Sequence, residues 1–166
     1  MPFPVGPSDW TIPHVMKKKI PVIVHNNGKN TWSLLHCEDA AEAIFQIITA
    51  KKIDEKIINI VSPHKTNWNY IVKLLIKNLK SKSKIKYMDT KVILKKCRYF
   101  AESVYYHKRH NEYYDISLLK KIIPKWKQKI SLEAGIKKTI QWFKKDKKRR
   151  KINIKMLSML SKLTNN

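Results

Sequence analysis

Apolar positions along the chain fall into short β-branched runs and longer stretches of helical period, in the alternation that predicts an α/β domain. Ile20-Pro21-Val22-Ile23-Val24 has strand character, and His25-Asn26-Asn27-Gly28 turns the chain after it. Leu34 and Leu35 then give way to Ala41, Ile44, Phe45 and Ile48, which predicts a strand running into a helix from Asp39 to about Ala50. Glu38 and Asp39 are placed to cap its free N–H groups, and Lys51 and Lys52 to complement its C-terminal dipole. Ile57 to Val61 is a continuous apolar run, as in a strand buried on both faces of a parallel sheet. Thr66 or Asn67 caps a helix whose apolar face is Trp68, Ile71, Leu75 and Leu79.

Beyond it, Lys80 to Lys84 reads as a solvated loop, and Ile85 and Tyr87 alternate with lysines as in an exposed strand. From Lys91 to Tyr114 no clear period emerges. Asp115 caps a short helix carrying Leu118, Leu119 and Ile122, which Pro124 stops. Ser131 to Phe143 keeps Leu132, Ile136, Ile140 and Phe143 on one helical face. Gly135 within it costs about 1 kcal/mol relative to alanine and implies close backbone packing. A basic run from Lys144 to Lys151 leads into a last amphipathic piece with Ile152, Met156, Leu160 and Leu163. At the other end, Val5-Gly6-Pro7 is a strand being stopped, and Trp10 to Val15 a loop.

A length of 166 residues, 43% of them hydrophobic, suits one domain with a core of its own. The net charge of +24 would speed encounter with nucleic acid, anionic membranes or phosphorylated ligands. Nearly all of it is lysine, with arginine only at Arg98, Arg109, Arg149 and Arg150, whereas phosphate readers favour the arginine fork. A coding bias toward A and T, visible in the abundance of Lys, Ile and Asn, spreads lysine over solvated faces without any selected partner. Both accounts of the charge stay open. Cys37 and Cys97 form neither a disulfide framework nor a metal pair. With no basic leader and no apolar run of membrane-spanning length, a soluble cytoplasmic protein is expected.

The segment from Gly28 to Ile44, GKNTWSLLHCEDAAEAI, resembles the Gly-x-x-x-x-aromatic-x-x-His/Tyr-Val-x-Asp-Val-Ala stretch of the extended short-chain dehydrogenase/reductases, the family of nucleotide-sugar epimerases and dehydratases. Ser131-Leu132-Glu133-Ala134-Gly135 through Thr139 and Trp142 resembles the family's closing Ser-Leu-x-x-Gly-x-x-x-Thr-x-x-Trp helix, and Val5-Gly6-Pro7 its post-catalytic turn. The resemblance implies an α/β fold made of partial Rossmann-type sheet elements plus the small α/β substrate-binding lobe. Residues 1–143 would be the C-terminal, substrate-binding part of an epimerase/dehydratase, and 144–166 a basic amphipathic tail. It further implies NAD(P) in the full-length family with Pro4 and Val5 near the cofactor, and a nucleotide-sugar substrate near Trp10, Lys29, Trp32 and His36. A separate N-terminal half or a homo-oligomer would complete the protein. Two departures stand out: Ser62-Pro63 replaces the family's glycine, and Trp32 stands where an arginine commonly meets the substrate diphosphate. Tryptophan stacks but cannot neutralise phosphate.

The catalytic parts are missing. A cofactor pyrophosphate needs a glycine-rich turn at a helix N-terminus, and Gly6, Gly28 and Gly135 cannot build one. Tyr87 and Lys91 have the Tyr-x-x-x-Lys spacing of a proton-exchanging pair but lie in a strand pattern, away from where the family keeps it. His107 and His110 with Cys97 lack a fourth metal ligand at useful spacing. Trp68 and Trp142 sit on internal helical faces, and His36 fits a satisfied packing histidine. No catalytic residue or metal site is therefore expected, no cofactor is expected to bind this chain alone, and nucleic acid is the less favoured partner. The alternative is a basic module for nucleic acid or anionic surfaces, using the lysines and the tail.

Overall fold

A computed structural model describes residues 20–50, 57–96 and 104–147, together with positions 154, 158, 163 and 164. Strand β1 (Val22–His25) pairs in parallel with β4 (Ile85–Met88), Val22 opposite Ile85 and His25 opposite Met88. Strand β2 (Thr31–Ser33) pairs antiparallel with β3 (Lys65–Asn67), Trp32 opposite Thr66. Around them lie α1 (Cys37–Ile48), α2 (Trp68–Leu79), α3 (Thr90–Lys96), a π-helical turn (Val104–Lys108), α4 (Ser117–Ile122) and α5 (Leu132–Lys145).

Two apolar clusters organise these elements. In the first, Val22 and Val24 of β1 meet Trp68, Ile71 and Val72 of α2 and Ile136 and Ile140 of α5, with Leu34 among them. In the second, Ala43 of α1 meets Leu119, Ile123 and Trp126, joined by Leu35. Successive side chains of extended backbone point opposite ways, so the Leu34-Leu35 pair inserts one residue into each cluster. Of the residues read as helix faces, Leu75 and Leu79 border the first cluster and Ile122 the second, whereas Ile44, Phe45 and Ile48, read as the face of α1, are exposed, and α1 turns Ala40, Ala43 and Ile47 to the second cluster instead. Gly135 is buried on the inner face of α5.

Several sequence expectations need correction. The strand by Leu34 and Leu35 is Thr31–Ser33 instead, and both leucines follow it. Helix α1 is not capped by a carboxylate: the His36 Nδ1 accepts the Glu38 N–H (3.3 Å), and the helix ends at Ile48 rather than Ala50. Asp39 turns away from its own helix because it is buried and finds better donors in the Lys129 and Ile130 N–H groups, both at 3.0 Å. Ile57 to Val61 belongs to no strand among the described residues: Ile58 and Ile60 face the second cluster while Ile57 is 82% exposed. An apolar run reports burial, but a strand also needs a neighbour to bond with.

Asp115 does hold a helix start, but one residue further out: its carboxylate accepts from the Ser117 N–H (2.9 Å) and hydroxyl (2.6 Å), and Ile116 is the N-cap. The stretch without a period contains α3 and the π-helical turn. Helix α5 runs two residues past Phe143, and the tail does not simply extend into solvent, since Leu163 is buried and the Lys86 Nζ donates to the Thr164 carbonyl (3.2 Å). Asn67, by contrast, caps α2 as read, accepting the Tyr70 N–H at 2.9 Å, and Ser131 caps α5. No helix among the described residues is long and apolar enough to cross a membrane. Lys51, Lys52 and Cys97 lie outside the described residues.

Candidate binding site

The turn between β1 and β2 is pinned from three sides. Asn26 (φ 48°) lends its side-chain oxygen to the Thr90 N–H at 3.2 Å, and the Asn69 amide donates to the Asn27 carbonyl at 2.7 Å. Gly28 adopts φ 65°, and a Cβ there would come within 2.6 Å of the Val24 side chain. A cofactor pyrophosphate requires open backbone N–H groups leading into a helix. This glycine is closed in by neighbours and leads into a strand, so this turn does not fit a dinucleotide pyrophosphate.

Of the residues assigned to substrate, Lys29 stands exposed on this turn, its backbone N–H bonded to the Asn27 side chain (3.0 Å). Trp32 is half-buried against the first cluster, its ring tilted on Trp68 with centroids 5.5 Å apart, and its indole N–H is buried without a hydrogen-bond partner among the described residues. His36 is fully buried as the cap of α1, and desolvation holds its pKa below the ordinary imidazole value. The structure thus places the three apart in role: an exposed cation, a packed platform and a helix cap. Pro4, Val5 and Trp10 lie outside the described residues.

Sequence reasoning missed a cleft of about 380 Å³ where the first turns of α2 and α5 meet the segment after Val61. Ser62, His64, Lys65, Thr66 and Tyr70 line one side, and Gln128, Lys129, Ser131 and Glu133 the other. Its polar groups are cross-braced: the Ser62 hydroxyl donates to Gln128 Oε1 and the Tyr70 hydroxyl to Glu133 Oε1, each at 2.6 Å. The Thr66 hydroxyl oxygen is buried with no partner among the described residues. The caps Asn67 and Ser131 were the legible signal, since each marks a helix start, but nothing in the sequence says that the two starts converge.

This cleft can hydrogen-bond a polar ligand. The bond to Glu133 raises the Tyr70 pKa, the opposite of what an acid/base tyrosine needs, and lowers that of Glu133. Tyr87 and Lys91 fall in different elements, β4 and α3, and share no helical face. Among the described residues, no group of three or more His, Cys, Asp or Glu side chains is placed to hold a metal ion.

A two-stranded parallel pair with helices packed on it, beside a small antiparallel pair, is a piece of a Rossmann-type α/β architecture. Solved structures share it. A UDP-glucose 4-epimerase from Thermotoga maritima aligns with a TM-score of 0.63 at 20% identity, over 81% of this chain and 38% of the enzyme. A dTDP-glucose 4,6-dehydratase from Bacillus anthracis, solved with NAD, aligns with a TM-score of 0.63 at 19% identity, over 83% of this chain and 39% of the enzyme. In sequence, the chain is 30% identical over 122 residues to the trifunctional UDP-glucose 4,6-dehydratase/UDP-4-keto-6-deoxy-D-glucose 3,5-epimerase/UDP-4-keto-L-rhamnose-reductase of Arabidopsis thaliana, which is 72% of this chain and 16% of that protein. No protein-family model matches the chain. Sequence and fold together liken it to a part of the NAD-dependent epimerases and dehydratases, less than half the length of each of these relatives.

Proposed function

We propose that the chain is the substrate-binding part of a sugar-nucleotide epimerase/dehydratase-like oxidoreductase and has no redox activity alone. The observation that carries the reading is the 122-residue match to the trifunctional plant enzyme, which includes dehydratase, epimerase and reductase activities in its name. The chain contributes a rigid β1–β2 turn, with Lys29 and Trp32 as the ligand-facing residues and His36 as the group that positions α1. Hydride transfer with NAD(P) belongs to a glycine-rich loop and a Tyr/Lys pair that its residues do not supply. A separately encoded N-terminal half, or a longer form of the protein, would provide them, and the assembled protein would be soluble and cytoplasmic.

The test is twofold. The chain is assayed with NAD and UDP-glucose, where no NADH or 4-keto sugar should form. Amide spectra are then recorded while UDP-glucose is added, and resonances of the Lys29–His36 stretch should move. Turnover by the chain alone overturns the inactivity, and unmoved resonances at saturating sugar nucleotide overturn the substrate role.

A further inference from the structure

The π-helical turn and the segment after it carry exposed tyrosines interleaved with cations, and the reading above leaves them unused. It is held along the free side of β2: the Asn30 side-chain amide donates to the Arg109 carbonyl, the Thr31 N–H to Asn111 Oδ1 (2.8 Å), and the Glu112 N–H to the Thr31 carbonyl (2.9 Å). So anchored, it sets the Arg109 guanidinium 3.9 Å from the centre of the Tyr105 ring, with Tyr106 edge-on to Tyr105 at 5.2 Å. Lys65, from β3, lies 4.7 Å over the ring of Tyr113. Tyr106 and Tyr113 are nevertheless 64% and 73% exposed.

We propose that this face, formed by Tyr105, Tyr106, Arg109, Tyr113 and Lys65, binds single-stranded nucleic acid, stacking unpaired bases on the tyrosines and neutralising phosphates with the adjoining cations. Three features select that partner. Among the described residues these cations lie on ring faces rather than in carboxylate pairs, so stacking surface and positive charge alternate within a few ångströms, as a strand of bases and phosphates requires. Arginine stands at 109 in a chain whose default cation is lysine, and its plane stacks where a lysine would not. Exposed tyrosine with few aliphatic anchors suits base stacking better than insertion into a lipid surface. Glu112 is the carboxylate within the segment, and it is engaged by the Tyr114 hydroxyl at 3.0 Å. The net charge of +24 adds long-range attraction to any polyanion but does not itself distinguish one.

The experiment is fluorescence anisotropy of the intact chain with a labelled oligothymidylate at physiological salt. Saturable binding is expected, and Tyr106→Ala and Tyr113→Ala should each weaken it about fivefold or more, the lower bound of base–aromatic stacking. Tyr106→Phe and Tyr113→Phe should bind as the parent does. Should either alanine variant lose its circular dichroism signal, Arg109→Lys gives the same readout with charge conserved, again as a weakening. Absence of binding overturns the proposal. So does parental affinity in the folded alanine variants or in Arg109→Lys, or competition by duplex DNA or heparin equal to that of the single strand, which would mean attraction by charge alone.

Discussion

Asp39 joins two parts of the chain that sequence alone keeps distant. Its buried carboxylate takes the Lys129 and Ile130 N–H groups, and its carbonyl takes the Trp126 indole N–H at 3.2 Å. Asp39→Asn turns one acceptor oxygen into a donor facing a backbone donor, so it should cost roughly 1–3 kcal/mol, the range for a buried polar group left unpaired. Urea unfolding should show a lower midpoint with an unchanged slope. The acidic residue was legible as a helix-start signal, but its partners were not, because a carboxylate's choice between nearby and remote N–H groups depends on tertiary burial. His25 and His36 offer a second test at this scale. Both have pKa values lowered by desolvation, with the Lys108 charge adding to the effect at His25 and the Lys108 backbone opposing it. The unfolded chain therefore binds the proton more readily than the folded one. Stability should be full above the ordinary imidazole value, about 6.5, and should fall as pH drops from there through the lowered folded values. Midpoints measured across this window should follow that course, and His25→Gln should flatten it.

Among the elements, those with both a period and a cap were readable, while those defined by a partner strand were not. Helices α2 and α5 combine an apolar face with Asn67 and Ser131 at their starts, and both form. Ser131→Ala and Asn67→Ala should each cost about 1 kcal/mol, seen as parallel shifts of the unfolding curve. Lys138→Met, which removes an exposed 2.7 Å bridge to Glu38 between α5 and the start of α1, should change stability by less than about 1 kcal/mol. The contrast measures how far packing and caps, rather than surface charge, hold these helices. The segment from Ile57 and the π-helical turn escaped because their conformations answer to neighbours: one pairs with no strand among the described residues, and the other packs beside α3.

For the whole molecule, the architecture was legible from two motif-like segments far apart in the chain, whereas the cleft was not, since no residue pattern reports that two helix starts meet. The assembled shape also leaves apolar surface in water. Phe45 and Ile48 on the outer side of α1 are 64% and 75% exposed, and Ile57 more so, while a two-stranded parallel pair is of a kind usually covered on both faces. Surface of that character drives association in solution. The double substitution Phe45→Lys with Ile48→Lys should therefore raise the monomer fraction by size-exclusion chromatography and leave the melting temperature within a few degrees of the parent, because neither side chain fills a cluster. A large drop in melting temperature would instead make this face part of the core. Should an N-terminal half restore NAD-dependent turnover, the same substitution should abolish the restoration if that half covers α1, and leave it intact if it docks elsewhere.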